Sequence, residues 1–174
     1  MRYFLCSLII SILIFGCKLS EKSIKSSFYS ENKEVNLFAF IGKKISFNEF
    51  KRDTIDVEKF IGLDGDTVIQ KKIYFDKRFK AKYKIEKLLF NNFKEDTISF
   101  LVYDHYGRPK LEEYEYSILY ISRSEENKYY LQKYMYDPVK KNKNGTWVGI
   151  NNESINELFL KKRNGYLKAR GIFD

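Results

Sequence analysis

Phe79-Lys80-Ala81-Lys82-Tyr83-Lys84-Ile85-Glu86 alternates apolar and charged residues without a break. A period of two places Phe79, Ala81, Tyr83 and Ile85 on one face of an extended strand and Lys80, Lys82 and Lys84 on the other. One face is built for a core and the other for water, the mark of an antiparallel sheet with a wet side. The neighbouring segments repeat this character. Val35 to Ile41 and Lys44 to Phe50 read as strands joined near Gly42. Val68 to Phe75 and Thr97 to Tyr103 are rich in β-branched and aromatic residues between turn residues. Leu111 to Arg123 and Lys128 to Tyr136 read as a hairpin closed by Ser124-Glu125-Glu126-Asn127, and Thr146 to Ile150 follows Asn144-Gly145 as a last short strand.

Helix signals are few. Ser154-Ile155-Asn156-Glu157 has the spacing of a capping box, with Ile155, Leu158 and Phe159 on one stripe. Lys161, Lys162 and Arg163 suit the negative end of its dipole, and Asn164-Gly165 offers a stop. A second short helix is a candidate between Asp53 and Ile61. The expected fold class is therefore α+β: a mainly antiparallel sheet of about seven or eight strands with one C-terminal helix.

The N-terminus has a different grammar. Met1-Arg2 is a short cationic start, Tyr3 to Phe15 is apolar apart from Ser7 and Ser11, and Gly16-Cys17 follows at once. A stretch this short falls below the ~20 residues that span a hydrocarbon core, and it fits a secretory h-region. It resembles the signal peptide of a bacterial lipoprotein. The resemblance implies a helical leader over residues 1–16 and lipidation of Cys17 as the new N-terminus. Two or three acyl chains there would make membrane attachment effectively permanent. It also implies an address in the cell envelope. Lys18 stands where some bacteria place an inner-membrane retention aspartate, so the outer membrane facing the periplasm is expected. Residues 17–34 then read as the lipidated cysteine and a polar tether, and 35–174 as a single β-rich domain.

Cys6 leaves with the leader and Cys17 is acylated in that reading, so no thiol remains for a disulfide, a metal or a nucleophile. With 15 Phe and 14 Tyr, the domain has the aromatic mass to be held by packing alone. The formal net charge is +9, of which the leader's Arg2 supplies one. That balance suits anionic lipid head groups or polymers as well as ordinary solvation.

Three groups of residues invite a chemical reading. In Tyr103-Asp104-His105-Tyr106-Gly107-Arg108-Pro109, Asp104, His105 and Arg108 are the weak candidates for a hydrolytic site. Neighbours on a strand point to opposite faces, however, and Gly107 and Pro109 are what a turn requires. Nine tyrosines lie between Tyr103 and Tyr136. Of these, Tyr114, Tyr116 and Tyr120 on one strand and Tyr130, Tyr134 and Tyr136 on the next could form a binding platform. Lys80, Lys82 and Lys84 form a cationic row for an anionic ligand. Leu63-Asp64-Gly65-Asp66 reads as a turn. His105 has no histidine partner, so no metal site and no cofactor are expected.

The functional expectation is a membrane-anchored, non-catalytic protein-binding module, for instance one that blocks a secreted toxin in the manner of an immunity protein. The alternative is a structural or assembly factor that binds anionic envelope polymer or lipid through a basic face; a hydrolase ranks below both. The expected partners are the membrane, through the lipid anchor, and a secreted or envelope protein. Nucleic acid is not among them, and the chain is expected to be a monomer.

Overall fold

The computed structural model describes residues 29–50, 57–71 and 76–173. The leader, Cys17 and most of the tether lie outside the described residues. Among the described residues there are eight strands: β1 (Phe38–Glu49), β2 (Val57–Ile61), β3 (Thr67–Lys71), β4 (Lys77–Phe90), β5 (Thr97–Asp104), β6 (Tyr116–Arg123), β7 (Tyr129–Lys141) and β8 (Trp147–Gly149). One α-helix, α1 (Ile155–Lys162), follows them. The main sheet has the order β5-β4-β1-β6-β7-β8, and β5 also meets β7 in parallel at Leu101 and Tyr130. That last contact rolls β5-β4-β1-β6-β7 into a partly open five-stranded barrel, with β1-β4-β5 as a meander and β6-β7 returning beside β1 in Greek-key order.

The apolar residues sort into two cores. Phe40, Phe47, Phe79, Tyr83, Phe100 and Leu119 belong to the barrel interior, and Leu37, Ile41, Ile118, Tyr120, Phe159 and Leu167 fill a second layer beneath α1. β1 and β6 serve both over Phe38–Ile41 and Ile118–Ile121, so those stretches are continuously apolar rather than alternating. β4 borders only the interior over Phe79 to Tyr83, and there the strict alternation holds.

β1 is one strand where two were expected. It runs through Gly42 with shifts of register against β4 on either side. A Cβ at Gly42 would stand 2.9 Å from Phe40, 3.0 Å from Tyr83 and 3.1 Å from Leu119. The glycine is a site of close approach inside a curving strand, and no turn occurs there. The strand expected to begin at Leu111 begins at Tyr116; before it, a single 3₁₀ turn (Lys110–Glu113) drops Leu111 into the barrel interior. The helix candidate between Asp53 and Ile61 is overturned for its described part. Val57–Ile61 is β2, paired with β3 across the Asp64-Gly65 turn, where Gly65 has φ +82°.

The helix start is as read: Glu157 N donates to Ser154 Oγ at 3.2 Å, and Ser154 N donates to Glu157 Oε2 at 2.9 Å. Its end is not at Asn164-Gly165. The chain continues through a π-helical turn, Arg163–Leu167, and stops at Gly171 with φ +68°. A regular helix would carry the Ile155–Phe159 stripe to Tyr166. The extra residue of the π turn puts Leu167 in the core instead and leaves Tyr166 63% exposed.

Two polar devices hold the layers. Asp137 on β7 accepts from the Tyr120 hydroxyl at 2.9 Å and faces Lys162 of α1 at 3.3 Å. Burial pushes the Asp137 carboxyl above its ordinary range, and Lys162 and Tyr120 oppose that shift. Asn91, buried with φ +52°, clamps the incoming chain. Its Oδ1 accepts from Asn32 N at 2.8 Å, and its Nδ2 lies 2.8–3.1 Å from the carbonyl oxygens of Asn32, Val35 and Leu37. Folded pairing therefore reaches upstream to Ser30, which bridges Phe90 in parallel.

Gly42→Ala should lower stability by about 1–3 kcal/mol, because the methyl group meets packed rings and Leu119 with no room to yield. Urea denaturation checks this, and an unchanged midpoint would refute the close-approach account.

Candidate cleft on the barrel wall

The alternation in β4 and β5 does more than fill the barrel. Inward positions take Phe79, Ala81, Tyr83, Ile98, Phe100 and Val102, so the outward positions pair across the strands as Arg78 with Tyr103, Lys80 with Leu101 and Lys82 with Ser99. Arg78 stacks over the Tyr103 ring at 5.7 Å. Among the described residues neither Lys80 nor Lys82 has an acidic partner, whereas Lys84 lies 3.5 Å from Glu86. The sequence-predicted lysine row is thus one exposed ladder, with two of its three ammonium groups uncommitted.

Beside this ladder opens a cleft of about 1390 Å³. Its floor is the β5–β7 junction, where Leu101 and Tyr103 face Tyr129 and Tyr130. One wall carries Phe50, Arg78 and Lys80; the other is the β6–β7 loop, with Arg123, Glu125, Glu126 and Lys128. The loop is built by its own hydrogen bonds. Ser124 N donates to Lys128 O at 2.9 Å, Asn127 N donates to Ser124 O at 2.9 Å, and Asn127 takes φ +59°. Asn36 braces its base, accepting from Arg123 N at 2.9 Å and donating to Arg123 O at 2.7 Å. Lys128 hydrogen-bonds Glu126, which holds the Glu126 carboxyl below the usual range. Cations, aromatic rings, amides and hydroxyls therefore share one open trough.

The tyrosines named from the sequence are not gathered into one platform. β7 carries a wide irregularity opposite β6: Leu119 pairs with Tyr136, but Ile121 pairs with Leu131. Tyr134 sits inside it with φ +64°, 41% exposed. The phase changes across it, so Tyr130 lines the cleft while Tyr136 packs at the edge of the barrel core. Tyr120 is fully buried beneath α1, Tyr116 packs on Trp147 at 5.0 Å, and Tyr114, which precedes β6, reaches Tyr136 at 6.2 Å.

Asp104, His105 and Arg108 diverge as well. Asp104 accepts from Tyr106 N at 2.8 Å within the turn, which Gly107 completes with φ +130°. His105 Nδ1 faces Asp76 at 3.3 Å, and Arg108 donates twice to Glu112, at 2.7 and 2.5 Å. The segment is a braced turn whose three polar side chains point to different partners. Among the described residues no group of three or more His, Cys, Asp or Glu could hold a metal ion, and no helix is long and apolar enough to cross a membrane.

The cleft was the part missed from sequence. Its lining comes from β1, β4, β5, β7 and the β6–β7 loop, and of the residues singled out from sequence only Lys80 and Tyr130 line it. No family model matches the chain, no curated protein matches it, and no solved structure matches its fold.

Asp76, beside the turn, is held below the usual carboxylate range by its hydrogen bond to Lys133, with His105 adding to the effect. A depressed carboxylate stabilises the fold above its unfolded pKa, and that contribution is lost as pH falls through the lower folded value. Lys133→Ala should raise the Asp76 pKa toward its ordinary value in a carbon-detected NMR titration. A curve that does not move would show that the ion pair is not what holds it.

Proposed function

We propose that the chain is a membrane-anchored envelope lipoprotein acting as a non-catalytic binding module, and that its ligand is an extended anionic polymer of the envelope. The observation that carries this reading is the uncommitted Lys80–Lys82 ladder running into a cleft walled by cations and tyrosines. A polymer with regular negative charge can track such a ladder, while its rings or backbone lie against Tyr103, Tyr129 and Tyr130. Asn48, Ser99 and the loop carboxylates add hydrogen-bonding groups that suit hydroxyls, which favours an acidic polysaccharide.

Partly open five-stranded Greek-key barrels of the OB type bind oligosaccharides and oligonucleotides on the face of their second and third strands, beside the loop after the fourth. Here the second and third barrel strands are β4 and β5, and the loop after the fourth closes the cleft. That is an analogy of fold; the lining residues carry more weight. The protein-partner reading leaned on a tyrosine platform, and the hydrolase reading on a converging triad. Neither arrangement lends support, because those side chains diverge.

Polygalacturonate, with a carboxylate on each sugar, is a suitable probe, with neutral dextran as its control. The chain should retard polygalacturonate in affinity electrophoresis at low salt and leave dextran unaffected. Arg78→Ala/Lys80→Ala/Lys82→Ala should weaken retardation between about threefold and about 150-fold, since exposed charge contacts contribute ~0.2–1 kcal/mol each. Retardation by this variant equal to that of the parent chain would refute the reading. So would capture from culture medium of a single protein that survives high salt and ignores the three substitutions.

A further inference from the structure

The hairpin β2–β3 stands apart from the two cores. Among the described residues its strands pair only with each other, and all ten of their residues are exposed. Phe50 N donates to Arg78 O at 2.9 Å, and Val57 pairs with Lys71, so six residues separate these two pairs along each strand. The hairpin therefore keeps the register that β1 and β4 set at the barrel wall. Its apolar content is high for so open an element: Val57, Phe60, Ile61, Leu63, Val68 and Ile69 are all exposed. Two strands alone in water are marginal, and they gain stability when further strands join them. No residue of the hairpin lines the cleft.

Its two free edges differ. β2 has Glu58-Lys59 at its middle, the kind of charge that blocks pairing at an edge, whereas Thr67-Val68-Ile69-Gln70 of β3 is uncharged. Gly62 N donates to Asp66 O at 2.8 Å, and bonded and non-bonded pairs alternate along an antiparallel ladder. Thr67, Ile69 and Lys71 therefore turn their N–H and C=O groups away from β2, toward the free edge. We infer that β3 pairs with β3 of a second copy of the chain, antiparallel about a two-fold axis at Ile69. That register sets Ile69 against its own copy and Thr67 opposite the partner's Lys71. It joins the two hairpins into one four-stranded sheet and opposes no like charges across the new edge. Charge favours a second copy at this element. The chain is +9 overall, but residues 57–71 hold three acids and two bases, so two copies meet where their mutual repulsion is least. Asp64 and Asp66, beside Leu63 at the turn, set the same element against an anionic bilayer. A five-residue edge is small against the ~1,200 Å² at which standard interfaces begin, so the dimer is weak and in equilibrium with monomer.

The test uses the chain from Lys18 to Asp174, which contains every described residue and no cysteine. In sedimentation equilibrium this parent chain should pass from monomer toward dimer as its concentration rises to about 1 mM. Across the axis the two Cα atoms of residue 69 lie ~5.5 Å apart, within disulfide reach. Lys59, opposite Ile69 on the same face of the hairpin, stands three strand spacings from its copy, ~14 Å. Under mild oxidation Ile69→Cys should therefore form disulfide-linked dimer at least about tenfold faster than Lys59→Cys. Thr67→Glu should tighten the dimer and Thr67→Lys weaken it, each by about two- to thirtyfold, because each creates two cross-strand charge pairs with Lys71. Asn156→Glu and Asn156→Lys, exposed on α1, should move it by less than about twofold. A parent chain that stays monomeric, equal rates of disulfide formation at positions 59 and 69, or equal shifts from positions 67 and 156 would each overturn the proposal.

Discussion

The structure depends on two strands that are buried on both sides. Leu37, Ala39 and Ile41 of the β1 region face the helix layer, while Phe38 and Phe40 face the barrel. Ile118 and Tyr120 of β6 face the helix layer, and Leu119 and Ile121 the barrel. With both faces committed, neither strand can slip by one residue without exchanging two complete sets of contacts. The barrel and the helix layer are thereby locked in register, and β4, β5 and β7 are added to a frame that is already fixed. The cleft inherits its shape from this, since its floor is the place where the outer strands of that frame meet.

What was legible from sequence followed from local periodicity. The Phe79–Glu86 alternation located a strand, its buried face and its lysine ladder, because all three depend on a period of two within one segment. The capping box was legible for the same reason: its two hydrogen bonds join residues three apart. Gly42 misled because a glycine between apolar runs is usually punctuation. Here it answers to the Tyr83 ring, far away in sequence. The helix end misled because a π turn leaves no local signature. Only the need to bury Leu167, which sequence spacing does not show, selects it.

The candidate site divides along the same line. The lysine row could be read; the cleft could not, because closing the barrel brings together residues from Asn36 to Tyr130. The tyrosines look like a set in sequence and are separated by the irregularity in β7, where Tyr134 breaks the phase. Their density reflects three separate demands: ring packing under α1, the rim of the barrel core and the lining of the cleft.

The Asn91 clamp has a mechanical meaning. Any pull along the chain from before Ser30 reaches the fold as a load along a segment paired in parallel with the end of β4, through Ser30 N to Leu89 O and Asn91 N to Ser30 O. A load in that direction shears these bonds together instead of peeling them in turn. Behind them the Asn91 side chain ties Asn32, Val35 and Leu37 to the same strand, acting as a rivet behind a lap joint. Tension is passed directly into β4, the strand that also carries the lysine ladder. The point where the chain enters and the face where the cleft opens thus share a single strand.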